Sequence, residues 1–103
     1  MTFKQYQDLA RVTAIYPKEQ MIVYPALGLA GEAGEVAEKV KKWIRDGKLD
    51  REAIEKELGD VLWYIAAIAG DLDLDMDHVA EMNIQKLADR AARGKIQGSG
   101  DNR

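Results

Sequence analysis

The strongest constraint on the fold of this chain is the placement of its prolines. Both of them, Pro17 and Pro25, fall in one short stretch. Proline interrupts a helix interior because it lacks a backbone N–H and clashes with the preceding turn. Outside that stretch, apolar residues recur at three- and four-residue intervals between glycine or Asp-rich joints, which is typical of amphipathic helices. We therefore predict an all-α fold, an antiparallel helical bundle of about four helices that is completed by oligomerisation.

Local signals predict where each helix begins and ends. The predicted starts are, in chain order, the capping box of Thr2 and Gln5, a first turn containing Pro25, a cap at Asp50, and a cap at Asp75 or Asp77. The predicted ends lie near Tyr16, near Arg45 with Asp46 and Gly47 behind it, near Leu72, and near Arg93 and Gly94. Residues 17–24 are then a loop. The prediction is one helical domain over residues 1–95, followed by a polar flexible tail, residues 96–103.

The composition excludes several classes of function. The formal net charge is −3, whereas phosphate-backbone or membrane-surface binding usually leaves a basic surface. The chain has no cysteine, which excludes disulfides, thiolate metal sites and a cysteine nucleophile. No apolar leader opens it and no apolar run approaches the roughly 20 residues that span a bilayer. We expect a cytoplasmic protein that binds neither nucleic acid nor membranes.

Two pairs of acidic residues stand at nearly one-turn spacing, in EAGE (Glu32 and Glu35) and in ELGD (Glu57 and Asp60). Each pair lies beside the apolar stripe of its helix, in the same rotational sense. The short joint between the helices permits only an antiparallel hairpin, in which same-sense flanks fall on the same side. The four carboxylates are therefore expected to converge. Because they would repel one another, the pattern predicts a cation site, with two solvated helix faces as the alternative.

The ligand types favour a hard divalent cation. Oxygen-only ligation suits Mg²⁺, with Mn²⁺ possible, whereas zinc and di-iron sites normally recruit histidine. The chain has a single histidine, His78, and no Glu-x-x-His, which weakens a carboxylate-bridged di-iron site.

The fourth predicted helix carries a polar stripe of Asn83, Lys86 and Arg90. An amide and two cations on one helix face could hold phosphates, and a polyphosphate would bridge them to a carboxylate-bound ion. The alternative is that Lys86 and Arg90 pair with acidic neighbours such as Asp89.

Three smaller features qualify this picture. The row Gly28, Gly31 and Gly34 favours tight helix packing over ligand access. Trp63 lies off the main apolar stripe of its helix, which favours an interface or a second packing face over a base-stacking platform. Tyr64 lies on the carboxylate flank and is a candidate for substrate contact.

The runs LGLAGEAGEVAEKVKKW, EKELGDVLWYIAAIA and NIQKLADRAARG together resemble the MazG-like nucleoside triphosphate pyrophosphohydrolases, over roughly residues 24 to 95. The resemblance implies Mg²⁺-dependent hydrolysis of a nucleoside triphosphate to the monophosphate and pyrophosphate. It further implies assembly into a homodimer or homotetramer.

The same resemblance assigns roles to individual residues. Glu32, Glu35, Glu57 and Asp60 become metal ligands and catalytic residues, while Asn83, Lys86 and Arg90 become substrate-binding residues. Relatives specialised for dUTP or phosphoribosyl-ATP leave the substrate open. The competing function is a non-catalytic helical dimerisation or nucleotide-sensing module.

Overall fold

The computed structural model describes residues 1–103 and contains four α-helices. They are α1 (Phe3–Arg11), α2 (Val23–Asp46), α3 (Arg51–Asp71) and α4 (Met76–Ala92), and one 3-10 turn, Lys18–Gln20, precedes α2. No strand is present. The prediction of an all-α fold of about four helices is therefore confirmed.

The helix ends use the capping residues that the sequence predicts. The Thr2 hydroxyl accepts the backbone N–H of Gln5 at 3.0 Å, and the Gln5 side chain accepts the N–H of Thr2 at 2.7 Å. Gly47, with φ of 72°, ends α2 in the left-handed conformation, which glycine adopts without steric cost. The carboxylates of Asp50 and Asp75 cap α3 and α4, which decides between the two candidates for the fourth helix.

Two predicted boundaries beside the proline segment are wrong. Helix α1 ends at Arg11 rather than near Tyr16. Beyond Arg11 the Thr13 hydroxyl donates to a carbonyl of the last turn, and residues before a proline avoid the α conformation. Helix α2 begins at Val23, and Pro25 still falls in its first turn, where a missing N–H costs nothing.

The carboxylate of Asp71, at the end of α3, holds the segment between α1 and α2. It accepts hydrogen bonds from Arg11 Nη1 at 2.6 Å, Tyr16 Oη at 2.7 Å and the backbone N–H of Ile22 at 2.8 Å. Its side chain has no exposed area. Burial acts to raise the pKa of Asp71, but these hydrogen bonds and the charge of Arg11 outweigh it and hold the pKa below its ordinary value. Ile22 adopts a φ of 69° to reach the carboxylate.

Helix α1 is the centre of the packing at one end of the molecule. Helix α2 packs along α3, and α1 packs on both α3 and α4. The Gln7 side chain is buried and bonds the carbonyl of Leu74 at 2.8 Å and the N–H of Met76 at 3.0 Å, which ties α1 to the start of α4. Trp63 Nε1 donates to the Thr13 hydroxyl at 2.8 Å. The small core consists of Ala66, Ala69 and Met76, with Tyr6, Ala10 and Leu62 packed against it.

A single chain buries little of itself. Only 8 of 103 residues are buried, and side chains as large as Leu27, Ile44 and Ile84 are at least 65% exposed. The radius of gyration is 16.3 Å, against about 13 Å for a compact chain of this length. An apolar surface of this extent is typical of subunits that associate, and the predicted homodimer or homotetramer stays a prediction. None of the helices combines the length and apolar character that crossing a bilayer requires.

Candidate metal centre

The α2–α3 hairpin brings three of the four signature carboxylates together. Residues 47–50 alone separate the two helices, so α2 and α3 run antiparallel and face each other along their length. Glu32 on α2 meets Glu57 and Asp60 on α3, and one oxygen of each lies within 4.8 Å of the others. Glu32 and Glu57 are partly buried, whereas Asp60 is exposed. The same-sense flanks that the sequence predicts are the reason for this meeting.

Glu35, the fourth predicted ligand, lies outside this group of three. It stands one turn beyond Glu32 on α2 and is exposed. Its negative charge still contributes to raising the pKa of Glu32. The structure thus brings together Glu32, Glu57 and Asp60, which we call the carboxylate cluster, and leaves Glu35 at its margin.

The negative charges of the carboxylate cluster repel one another when no cation is bound. A hydrogen bond with Glu57, partial desolvation and the negative charges of Asp60, Glu57 and Glu35 all raise the pKa of Glu32. No lysine or arginine forms a salt bridge with a member of the cluster; Lys41, Arg45 and Lys56 pair instead with Glu38, Asp46 and Glu52, respectively. The negative charge of the cluster is therefore not neutralised by any side chain of this chain, and binding a cation would stabilise it.

The donor set fits Mg²⁺ or Mn²⁺. All three side chains offer carboxylate oxygens, which hard divalent ions prefer. His78 belongs to α4 and lines a different cavity, so no imidazole joins the cluster to favour zinc or iron. A divalent ion held by these three carboxylates would keep further coordination positions for water.

A group of three tyrosines, Tyr16, Tyr24 and Tyr64, adjoins the cluster. Of these, the sequence had pointed to Tyr64 alone. Tyr64 lies one turn beyond Asp60, and burial together with the neighbouring Tyr24, Glu32 and Asp60 raises the pKa of its phenol. The ring centroids of Tyr24 and Tyr64 are 6.5 Å apart, and Tyr24 stacks on Tyr16 at 5.0 Å. The role of Tyr24 was not predicted, because its partners are distant in sequence.

The predicted phosphate-binding residues lie on α4, away from the cluster. Helix α4 packs mainly on α1, and neither Lys86 nor Arg90 forms a salt bridge with a signature carboxylate. Asn83 and Lys86 line one open cavity of about 500 Å³. Its other lining residues are Leu74, Asp75, His78, Val79, Met82 and Asp101.

Both cations of α4 are engaged by the C-terminal tail. Lys86 Nζ pairs with Asp101 Oδ1 at 2.7 Å, and the Arg90 guanidinium donates to the Asp101 carbonyl. Arg90 is only 5% exposed. Bonding to Lys86, and then the charge of Arg90, lowers the pKa of Asp101. The alternative that these cations pair with an acidic neighbour such as Asp89 is not what the structure shows: their acidic partner is Asp101 of the tail, and Asp89 pairs with Arg93.

The tail itself is held by several hydrogen bonds. Arg103 donates to the carbonyls of Lys95, Ile96 and Gly100, and its own carbonyl accepts from Arg93. The flexibility predicted for residues 96–103 stays a prediction. The pairing of Asp101 with Lys86 and Arg90 was not predicted, because the sequence of a short polar tail rich in glycine does not show which residues it will contact.

Comparison with known proteins agrees with this geometry. The family model described as the MazG nucleotide pyrophosphohydrolase domain matches residues 24–94, which include the carboxylate cluster and α4. The chain is also 46% identical over 109 aligned positions to the Gene 37 protein of Mycobacterium phage L5, covering 95% of this chain and 96% of that protein. No solved structure matches the chain. The family match, which covers more than half of the chain, establishes that the chain belongs to the MazG nucleotide pyrophosphohydrolase family.

Proposed function

We propose that this protein hydrolyses a nucleoside triphosphate, ribo- or deoxy-, to the nucleoside monophosphate and pyrophosphate, and that the reaction depends on Mg²⁺. The observation that carries the proposal is the carboxylate cluster, in which oxygens of Glu32, Glu57 and Asp60 lie within 4.8 Å of one another. Membership of the MazG nucleotide pyrophosphohydrolase family also supports the proposal. Such a cluster of uncompensated negative charge has little structural value, because carboxylates this close destabilise the fold.

The chemistry requires charge neutralisation and positioning more than a protein nucleophile. Glu32, Glu57 and Asp60 would hold the divalent ion, with Glu35 available beside them. The bound ion would supply positive charge against the phosphates and increase the acidity of the attacking water. Water adds to one phosphorus of the α–β anhydride, the bridging P–O bond breaks, and the products are the nucleoside monophosphate and pyrophosphate. A carboxylate of this group accepts the proton that the water releases.

The substrate's phosphates also need cations from the protein, and we assign this role to Lys86 and Arg90, with Asn83 as a polar contact. Both cations bind Asp101 in the structure. Because Arg90 is 5% exposed, a phosphate can reach it only after the tail has moved. The carboxylate and carbonyl of Asp101 thus hold the positions that substrate phosphate oxygens would take.

A second copy of the chain would complete this site. Within one chain α4 packs on α1 rather than along the α2–α3 hairpin, so its cations do not reach the carboxylate cluster. The large apolar side chains left exposed on α2, α3 and α4 support association into a homodimer or homotetramer. In such an assembly, α4 of one subunit would face the cluster of another.

The second candidate is a nucleotide-sensing module without catalysis. The observation that favours it is the engagement of Lys86 and Arg90 by the tail, because a ligand that displaces Asp101 would change the conformation of residues 96–103. The presence of all four signature acids in the chain supports the enzyme, since a sensor does not need all of them.

One experiment separates the two candidates. The purified protein is incubated with a panel of ribo- and deoxynucleoside triphosphates in Mg²⁺ or in chelator, and products are resolved by chromatography and phosphorus NMR. The enzyme yields monophosphate and pyrophosphate in Mg²⁺ alone. Binding of a nucleotide with no turnover across the panel would identify the sensor.

A further inference from the structure

The contact between Gly28 and Tyr64 lies directly beside the carboxylate cluster. Gly28 precedes Glu32 by one turn on α2, and Tyr64 follows Asp60 by one turn on α3. Because α2 and α3 are antiparallel, both one-turn steps lead toward the same end of the helix pair. The contact of Gly28 with Tyr64 is therefore one turn away from the contact of Glu32 with Glu57 and Asp60, on the same interface. The Tyr64 ring rests on the bare Cα of Gly28, where an added Cβ would overlap Cε1 and Cζ of the ring and lie 2.6 Å from its Cδ1.

Two aromatic neighbours restrict the movement of the Tyr64 ring. Trp63 meets it edge-on with ring centroids 5.1 Å apart, and Tyr24 lies 6.5 Å from it on the α2 side. Trp63 is held in turn by its hydrogen bond to Thr13. A side chain at position 28 would therefore move α2 as a whole rather than the ring alone.

The other glycines of α2 do not have this role. A Cβ added at Gly31 or at Gly34 would meet nothing within 4 Å. The predicted row of packing glycines is thus reduced to one residue that contacts α3, and this residue is the one adjacent to the carboxylate cluster.

We propose that Tyr64 is a positioning residue whose ring, seated on Gly28, sets the spacing of α2 and α3 at which Glu32 faces Glu57 and Asp60. The inference rests on the proposed metal-binding role of these carboxylates. Mg²⁺ requires oxygens at 2.0–2.1 Å in near-ideal geometry, so the cluster, whose oxygens already span up to 4.8 Å, tolerates little further separation. Moving an overlapping Cβ out to an ordinary contact with the ring requires a shift of at least ~1.3 Å.

The test measures Mn²⁺ affinity of the folded protein by isothermal titration, with helicity checked by circular dichroism. Gly28→Ala is expected to weaken Mn²⁺ binding about tenfold or more, the range found when groups that orient metal ligands are lost. Gly34→Ala is the matched control, because it makes the same change on the same helix without an overlap; its affinity stays within about twofold of wild type. Wild-type affinity in Gly28→Ala would overturn the proposal.

Variants at Tyr64 keep the test decisive if Gly28→Ala does not fold. Tyr64→Phe retains the ring and is expected to keep wild-type affinity, whereas Tyr64→Ala removes the spacer and weakens Mn²⁺ binding about tenfold. In the Tyr64→Ala background, Gly28→Ala should cost less than about twofold, because the overlap has gone. Independent, additive effects of the two substitutions would contradict the proposal, as would equal losses in Tyr64→Phe and Tyr64→Ala.

A metal-free measurement separates this inference from the proposed function. Crystal structures of wild type and Gly28→Ala, both grown in chelator, give the separation of Glu32 from Asp60 directly, and a larger separation in the variant is expected. If wild type binds no Mn²⁺ but the separation grows, the metal role fails and the spacing role holds. An unchanged separation overturns the spacing role whatever the metal result.

Discussion

The carboxyl groups of Glu32 on α2 and Glu57 on α3 face each other across an antiparallel helix pair, close enough for their interaction to raise the pKa of Glu32. Asp60 completes the group. Three features of the α2–α3 pair create this arrangement: the short joint, the acidic flanks on matching sides, and the close contact of Tyr64 with Gly28. Together these features create one rigid, strongly acidic site in a small chain whose core is sparse.

Neutralising Glu32 should have opposite effects on stability with and without metal. In chelator at neutral pH, Glu32→Gln is expected to raise the melting temperature, because it removes one of the repelling charges. In excess Mn²⁺ the wild type should become the more stable protein, since only its intact cluster gains the full binding free energy. Melting curves in the two buffers at equal protein concentration check this, and the same order of stability in both would contradict the metal centre.

The buried carboxylate of Asp71 should be a main determinant of stability. Asp71→Ala leaves Tyr16 Oη, Arg11 and the Ile22 N–H without their acceptor, and we expect it to lower the free energy of unfolding by about 2–3 kcal/mol. Asp8→Ala removes an exposed acid paired with Lys4 and should cost at most about 0.5 kcal/mol. Urea denaturation at fixed protein concentration gives both values; equal costs would contradict the role of Asp71.

The same carboxylate predicts an acid limb in the stability profile. The folded-state pKa of Asp71 lies below its ordinary value, so its charged form contributes stability above the unfolded-state pKa of about 3.9. That contribution is lost as the pH falls through the lower folded-state pKa. The free energy difference between wild type and Asp71→Asn should therefore be constant above about pH 5 and shrink below about pH 4. A difference that persists unchanged to about pH 2 would contradict this assignment.

Asp101 should compete with substrate for the cations of α4. Asp101→Asn removes the charge that pairs with Lys86 and Arg90, and the KM for the triphosphate is expected to fall about two- to fivefold, the value of an exposed ion pair, with kcat little changed. Asp89→Asn, which breaks the pair between α4 and Arg93 just after its end, is the matched control and should leave KM unchanged. Equal KM values for wild type and Asp101→Asn would mean that the tail does not cover the phosphate site.

The sequence contained enough local information to predict the four helices and the site on the hairpin. Thr2, Asp50 and Gly47 act through neighbours within one turn, and the flanks of Glu32, Glu57 and Asp60 follow from helical periodicity and a short joint. The early end of α1 was missed because helical periodicity continues past Arg11, whereas the Thr13 hydroxyl there bonds a carbonyl of the last turn and so competes with the helix.

The position of α4 was unpredictable for a different reason. Its caps and polar stripe are local, but its packing on α1 depends on Gln7 and on the backbone of the joint before Met76. No periodicity along α4 encodes that contact. The engagement of Lys86 and Arg90 by Asp101 depends likewise on the path of a glycine-rich tail.

The most direct test of the central claim compares Asp60→Asn with Glu55→Gln on α3, in hydrolysis of the best triphosphate with Mg²⁺ and in Mn²⁺ binding. Glu55 is exposed on the same helix and outside the carboxylate cluster. We predict that Asp60→Asn loses both Mn²⁺ binding and turnover, the latter by about a hundredfold or more, while keeping its helicity, and that Glu55→Gln behaves as wild type. Turnover and Mn²⁺ binding at wild-type level in Asp60→Asn would contradict the account.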